Sequence, residues 1–146
     1  MPRNEDRRRP HSNPRRIRFH ETLCTGCLSC MSACSLGKAH HQSPSSSRIR
    51  IGLDPFGGDT ILTVCRQCET PQCLEVCPNN ALSTDARTGI VVLDPLRCDG
   101  CRLCIQACPW GAIFWDEAAR IVIKCDTCLG APLCVEACMF GALLYE

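Results

Sequence analysis

Residues 98–109 read CDGCRLCIQACP, so Cys98, Cys101, Cys104 and Cys108 follow the spacing C-x2-C-x2-C-x3-C with Pro109 directly behind. Near the start of the chain, Cys24, Cys27, Cys30 and Cys34 repeat that spacing without change. Cys65, Cys68, Cys73 and Cys77 read C-x2-C-x4-C-x3-C and run into Pro78, and Cys125, Cys128, Cys134 and Cys138 read C-x2-C-x5-C-x3-C. These four groups use all sixteen cysteines of the 146-residue chain. Apart from cysteine the chain is poor in large apolar side chains, with two Trp and one Tyr in all. A domain of this length normally fills its centre with such residues. Here the cysteines, and whatever they bind, must supply much of the cohesion.

Disulfides, zinc and iron–sulfur clusters compete to explain that content. Disulfides suit short exported chains, and the segment from Met1 to His20 has no apolar stretch that would serve as a secretory signal. Arg15-Arg16-Ile17-Arg18-Phe19 is twin-arginine-like only in outline, because Thr22 and Cys24 stand where an apolar region belongs. A cytoplasmic protein is expected. Zinc sites use two separated Cys-x-x-Cys pairs and often histidine, and they do not need a third cysteine so close to the first two. Three cysteines in one short loop reach three corners of a 4Fe–4S cube. The fourth, with three residues between it and the third and where a short helix has begun, points to the neighbouring cube. Four motifs therefore predict four 4Fe–4S clusters, held in pairs.

Two pairings are open on spacing alone. A nested scheme joins the first motif with the fourth and the second with the third. A sequential scheme joins first with second and third with fourth. Only Cys77 and Cys108 precede proline, and they belong to motifs adjacent in the chain, which favours nesting. The nested ligand sets are Cys24, Cys27, Cys30 and Cys138 (first site), then Cys34, Cys125, Cys128 and Cys134 (second site). Cys65, Cys68, Cys73 and Cys108 form the third site, and Cys77, Cys98, Cys101 and Cys104 the fourth.

The pieces Cys24-Thr25-Gly26-Cys27, Cys65-Arg66-Gln67-Cys68, Cys98-Asp99-Gly100-Cys101 and Lys124-Cys125-Asp126-Thr127-Cys128 give the chain a family likeness, as do the trailers Pro109 to Ile113 and Met139 to Leu143. From about Ile17 to the C-terminus it resembles the four-cluster electron-transfer subunits of molybdenum and tungsten oxidoreductases, and the ferredoxins serving hydrogenases and carbon monoxide dehydrogenase. The resemblance implies nested pairing. It also implies an α+β fold of two interlocked bacterial-type dicluster ferredoxin units with no catalytic residues of their own. The implied partner is a large pterin-bearing tungsten or molybdenum subunit, with a flavin, ferredoxin or quinone-linked protein at the other end. The iron–sulfur subunit of a tungsten aldehyde oxidoreductase is the specific expectation. A hydrogenase- or formate dehydrogenase-linked subunit, a free polyferredoxin and a zinc-stabilised interaction module are the alternatives.

The expected organisation is a basic arm over residues 1–16 and a four-cluster domain over 17–146. Within the latter, an outer unit (17–34 and 121–146) encloses an insertion (35–64) and an inner unit (65–120). Strands are expected at Ile17–Phe19, Ile61–Val64, Ile90–Leu93, Ile113–Trp115, Ile121–Ile123 and Leu143–Tyr145, with short helices through the later cysteines of each motif. In the insertion, Ser43 to Ser47 reads as a loop. The alternation Arg48-Ile49-Arg50-Ile51 and the turn signal Asp54 to Asp59 then predict a hairpin that shields a cluster or touches a partner.

Charge divides unevenly: residues 1–20 carry seven Arg against Glu5 and Asp6, and the other 126 residues carry a net of −4. Each oxidised cube with four thiolates adds about −2, so the loaded body is acidic. Nucleic-acid binding is not expected of an acidic body without aromatic platforms. The arm is read as docking on carboxylates of a large partner, and end-to-end association of cluster wires into a filament is a further expectation. His40 and His41 are read as surface residues, Trp110 and Trp115 as covers over clusters, and Lys124 and Arg66 as charges that raise a neighbouring potential. No Ser–His–Asp set, phosphate loop, open-site metal motif or apolar run long enough for membrane insertion is present in the sequence.

Overall fold

The computed structural model describes residues 14–146. Most of the expected basic arm, residues 1–13, lies outside the described residues. The chain alternates short strands and mostly short helices. Helix α1 spans Ser29–Ala39, α2 Gln72–Val76, α3 Leu103–Ala107 and α4 Leu133–Glu136; α2, α3 and α4 have a turn or so each, and α1 is longer. Strands β1 (Ile17–Phe19) and β8 (Leu143–Tyr145) pair antiparallel with Ile17 opposite Tyr145, so the two chain ends are stitched together. The remaining six strands form three hairpins: β2 (Ile49–Leu53) with β3 (Thr60–Val64), β4 (Leu82–Thr84) with β5 (Val91–Leu93), and β6 (Ile113–Asp116) with β7 (Ile121–Lys124).

The helices pack as the nested arrangement requires, α1 against α4 and α2 against α3. Two cores result. One joins Ile17, Ile49, Val64 and Leu143 with Cys30, Cys34, Cys65, Cys125 and Cys134. The other joins Leu82, Val91, Ile113 and Val122 with Cys73 and Cys104. The α+β fold of two interlocked ferredoxin-like units is therefore the observed one.

Proline explains where α2 and α3 stop. Cys77 (ψ 114°) and Cys108 (ψ 113°) are extended, as residues before proline must be. Cys34 has no proline behind it, and α1, eleven residues in all, runs on to Ala39 until His40 takes a left-handed φ of 61°. This helix is longer than the sequence suggested. Cys138 also lacks proline, yet the chain turns after it, with Gly141 at φ 67° and its N–H bonded to the Cys138 carbonyl.

The inserted hairpin is present. Arg48 and Ile49 wall one cysteine-lined cavity and Ile51 another. Its tip is exposed: Phe56 is 97% and Leu53 70% accessible. The segment read as a plain loop contains a 3-10 turn at Pro44–Ser46, and Ser46 and Ser47 are buried. Strand β4 was missed because Leu82-Ser83-Thr84 is too short to show a period. Among the described residues no helix is long and apolar enough to cross a membrane.

Candidate iron–sulfur centres

Each motif starts on a turn that only a left-handed residue completes. Gly26 (φ 71°) and Gly100 (φ 77°) lie between the first two cysteines of motifs one and three, and Gln67 (φ 50°) and Thr127 (φ 49°) occupy the matching place in motifs two and four. The turn aims backbone N–H groups at sulfur: Gln67 N donates to Cys65 Sγ (3.5 Å) and Thr127 N to Cys125 Sγ (3.3 Å). Arg48 N does the same for Cys34 Sγ and Ala81 N for Cys77 Sγ, both at 3.3 Å. Such donors tune the potential of a bound cluster.

Three cavities open among the cysteines. The first, about 350 Å³ counting its mouth, is lined by Cys24, Cys27, Cys30 and Cys138 together with Phe19, Ile51 and Phe140. The second, about 280 Å³, is lined by Cys34, Cys125, Cys128 and Cys134 with Lys38, Arg48 and Asp126. The third, about 360 Å³, is lined by Cys65, Cys68, Cys73 and Cys108 with Arg66, Trp110 and Lys124. Around the fourth site, Cys98 and Cys101 are the charged neighbours of Cys104, and Cys77 packs on the same core. Among the described residues no three His, Cys, Asp or Glu side chains converge tightly enough to hold a single metal ion. The cysteines surround spaces instead of points, and no histidine lines the three cavities. This donor set fits multi-iron clusters.

Burial pushes the inward thiols up: Cys30, Cys73 and Cys104 to about 11, Cys125 to about 12, and Cys134 upward too. Neighbouring cysteines add to each rise, Cys138 at Cys30, Cys108 at Cys73, Cys65 at Cys125 and Cys30 at Cys134. Loading such a site releases protons, because only thiolates bind iron. Cys27 differs, its thiol lowered chiefly by hydrogen bonds from Ser29.

The same neighbour relations order the sites. Cys30 and Cys134 link first to second, Cys65 and Cys125 link second to third, and α2 and α3 each carry cysteines of third and fourth. Only the two ends expose a cysteine, Cys27 at the first site and Cys101 at the fourth. Asp126 beside the second site meets Lys38 (2.8 Å) and Arg48 (3.8 Å). Burial would raise its carboxyl, but the Lys38 hydrogen bond and charge outweigh that and hold it below the usual range.

Arg66 lies with its guanidinium 3.8 Å from the Trp110 ring centroid, and Arg102 covers Trp115 at the same distance. Trp110 lines the third cavity, as expected of a cover, whereas Trp115 backs the Gly100 turn of motif three. His40 and His41 are exposed. The fold nevertheless brings together a Ser–His–Asp set with no local signal in sequence: Ser46 Oγ donates to Asp116 Oδ2 (2.8 Å), and His41 Nε2 lies 3.1 Å from Ser46 Oγ. The serine is buried and gives its proton to the aspartate, so the set braces the insertion against β6 and is no nucleophile. Sequence reasoning also missed Gln67 as part of the centre. It is buried and bonds both the Cys125 carbonyl (3.0 Å) and Val91 N (2.9 Å).

A wider cleft, about 1080 Å³ counting its mouth, is lined by Arg16, Arg18, His20 and Arg66 over Ile17, Phe19, Leu62 and Val64, with Glu146 the one carboxylate.

Paired ferredoxin-like units with cysteine-walled cavities define an iron–sulfur protein of the ferredoxin kind. Residues 59–146 match the 4Fe-4S dicluster domain family, and the chain belongs to it. It is 43% identical over 114 residues to the beta subunit of NADH-dependent phenylglyoxylate dehydrogenase of Aromatoleum evansii, covering 77% of this chain and 26% of that one. It is 39% identical over 105 residues to the polyferredoxin-like subunit of aliphatic sulfonate oxidoreductase of Pyrococcus furiosus, covering 72% and 60%. It is 38% identical over 106 residues to the electron transport protein HydN of Escherichia coli, covering 69% and 58%. The chain thus spans 26% to 60% of the length of these curated relatives. Among solved structures, the BamBC active-site complex of benzoyl coenzyme A reductase with benzoyl-CoA shares the fold, with a TM-score of 0.53, 24% identity and coverage of 90% of this chain and 78% of that one.

Proposed function

We propose that the chain relays single electrons through four 4Fe–4S clusters, each held by one of the four nested cysteine sets. The observation that carries this reading is the ordered row of sites with an exposed cysteine only at each end. Each bound cluster supplies a one-electron site with a potential anywhere from about −700 to +450 mV. The protein's own residues fix separations, as Cys30 and Cys34 do from one helix. They keep water out, as Ile49 and Val122 do at 1% exposure. They also aim N–H donors at sulfur. The residues hold no substrate and move no proton in this scheme.

The partner is a large catalytic oxidoreductase subunit, and the more specific reading is a tungsten or molybdenum pterin enzyme acting on aldehydes. The identity with subunits of two oxidoreductases supports the first statement, and the family resemblance alone supports the second. A free electron carrier is the second reading, favoured by the identity with HydN. Anaerobic purification tests the relay: about sixteen iron and sixteen sulfide per chain are expected, with paramagnetic signals after dithionite. Stoichiometric zinc in their place overturns it. Native size exclusion then separates the readings. A subunit travels with a large tungsten- or molybdenum-bearing chain, a free carrier alone, and an end-to-end filament in the void volume.

A further inference from the structure

Lys124 ends β7 immediately before Cys125 and is 3% exposed. Its ammonium group donates to two backbone carbonyls, of Val91 (2.7 Å) and Cys125 (2.9 Å), and these contacts bring no negative charge. Burying an ammonium without a counter-charge is costly, so such a group persists where something anionic stands nearby. Lys124 lines the third cavity, with Cys65, Cys68, Cys73 and Cys108, and adjoins Cys125 of the second. Gln67 ties the same place together by bonding the same Cys125 carbonyl and the N–H of Val91.

We propose that Lys124 is a shared positioning charge at the junction of the two ferredoxin-like units, which raises the reduction potentials of the second and third clusters together relative to the two end clusters. The inference rests on the relay reading above. Adding an electron to a cluster increases its negative charge, and a fixed cation beside it in a medium of low polarity favours that step. Because the cation is buried and serves both middle sites, it lowers the cost of carrying an electron across the junction where Cys65 of the third site neighbours Cys125 of the second. The two end sites carry the exposed Cys27 and Cys101, and Lys124 does not line the first cavity. Electrons are thus drawn toward the middle of the row and leave from either end according to the partner's potential.

The test is an EPR-monitored redox titration of the anaerobic protein and of Lys124→Met, with iron and sulfide measured on both. In the variant, two of the four signals are expected to need a more reducing solution. At fixed potential their reduced-to-oxidised ratio falls about tenfold or more, 59 mV for each factor of ten in a one-electron couple. The other two signals move less. Lys124→Arg keeps the charge and is expected to retain the wild-type values, which a purely structural peg would not guarantee. If Lys124→Met loads fewer than four clusters, Lys124→Gln, neutral but still a donor to the Val91 carbonyl, provides the same readout. Four loaded clusters with unmoved potentials in a neutral variant, or all four moved equally, overturn this proposal and leave the relay standing. A wild-type protein without four clusters overturns both.

Discussion

Cys30 and Cys34 stand one helical turn apart on α1, yet they line different cavities: Cys30 with Cys24, Cys27 and Cys138, Cys34 with Cys125, Cys128 and Cys134. Nesting and sequential pairing then predict different outcomes for double substitutions. Under nesting, Cys24→Ser and Cys138→Ser each remove one cluster, and together they still remove only one, leaving about twelve of sixteen irons. Under sequential pairing the double variant loses two clusters and keeps about eight. Iron and sulfide analysis of the three proteins distinguishes the schemes.

Gly26 and Gly100 occupy the same place in their motifs and share a left-handed backbone, but only Gly100 is crowded. A Cβ there would lie 3.2 Å from the Trp115 ring, whereas nothing approaches within 4 Å at Gly26. Trp115 cannot easily yield, because Arg102 covers its face and its indole N–H donates to Glu117 at 2.7 Å. Gly26→Ala is expected to cost about 1–2 kcal/mol, the penalty of a left-handed alanine, and Gly100→Ala distinctly more. Anaerobic thermal unfolding of the loaded proteins measures the difference, and equal shifts would contradict the packing argument.

Cysteine spacing made much of this molecule legible, because a C-x2-C turn leaves the backbone few ways to bend and proline after the last cysteine halts a helix. The fold class, six of the strands and the inserted hairpin all follow from such local constraints. What the spacing did not reveal is non-local. Gln67 is an ordinary polar residue in sequence, and only the docking of motif two on motif four makes it a buried bridge. His41, Ser46 and Asp116 meet because the insertion folds back on β6, a contact spanning about seventy residues. The length of α1 was hidden because it depends on where a left-handed His40 ends the helix.

Trp110 is 45% exposed and forms an outer wall of the third cavity, with Arg66 laid over its ring. A cation–π contact at such a site is worth about 0.5–1 kcal/mol, enough to keep the ring seated. Trp110→Ala is expected to hasten loss of visible absorbance in air several-fold, and Arg66→Ala to do so less. Stopped-time absorbance readings on air-exposed protein measure both rates, and an unchanged rate in Trp110→Ala would show that the ring shields nothing.

Asp85 closes the turn between β4 and β5 by accepting from the Thr88 hydroxyl and from Thr88 N at 2.8 Å. The Thr88 hydroxyl first, then its N–H, hold the carboxyl below the ordinary value. A depressed folded pKa contributes stability that is present above the unfolded value of about 3.9 and is lost as pH falls through the folded one. Asp85→Asn is expected to lower stability by about 1 kcal/mol near neutrality. The gap should stay constant from about pH 8 to 5 and close in more acid solution. Anaerobic melting curves across that range test the sign, since a gap that widened in acid would reverse it.

On the relay reading proposed above, the arginine-lined cleft is where a catalytic partner would dock. Phe19, Ile17 and Arg66 in its walls also line the first, second and third cavities, so a partner seated there lies beside three of the four sites. Its charge calls for an acidic face: Arg16, Arg18, His20 and Arg66 oppose Glu146 alone, and that carboxylate already meets Arg18 at 3.7 Å. Complementary charges across an exposed interface chiefly speed encounter and weaken with salt. Paired Arg16→Glu and Arg18→Glu substitutions are therefore expected to slow association with the native catalytic subunit at least tenfold at low salt and to flatten its salt dependence. Iron content should remain that of the wild type, since neither arginine lines a cysteine cavity. Arg97→Glu, outside the cleft and paired with Asp94, should leave association unchanged. Equal slowing by both variants would mean that overall charge, and not this cleft, governs the encounter.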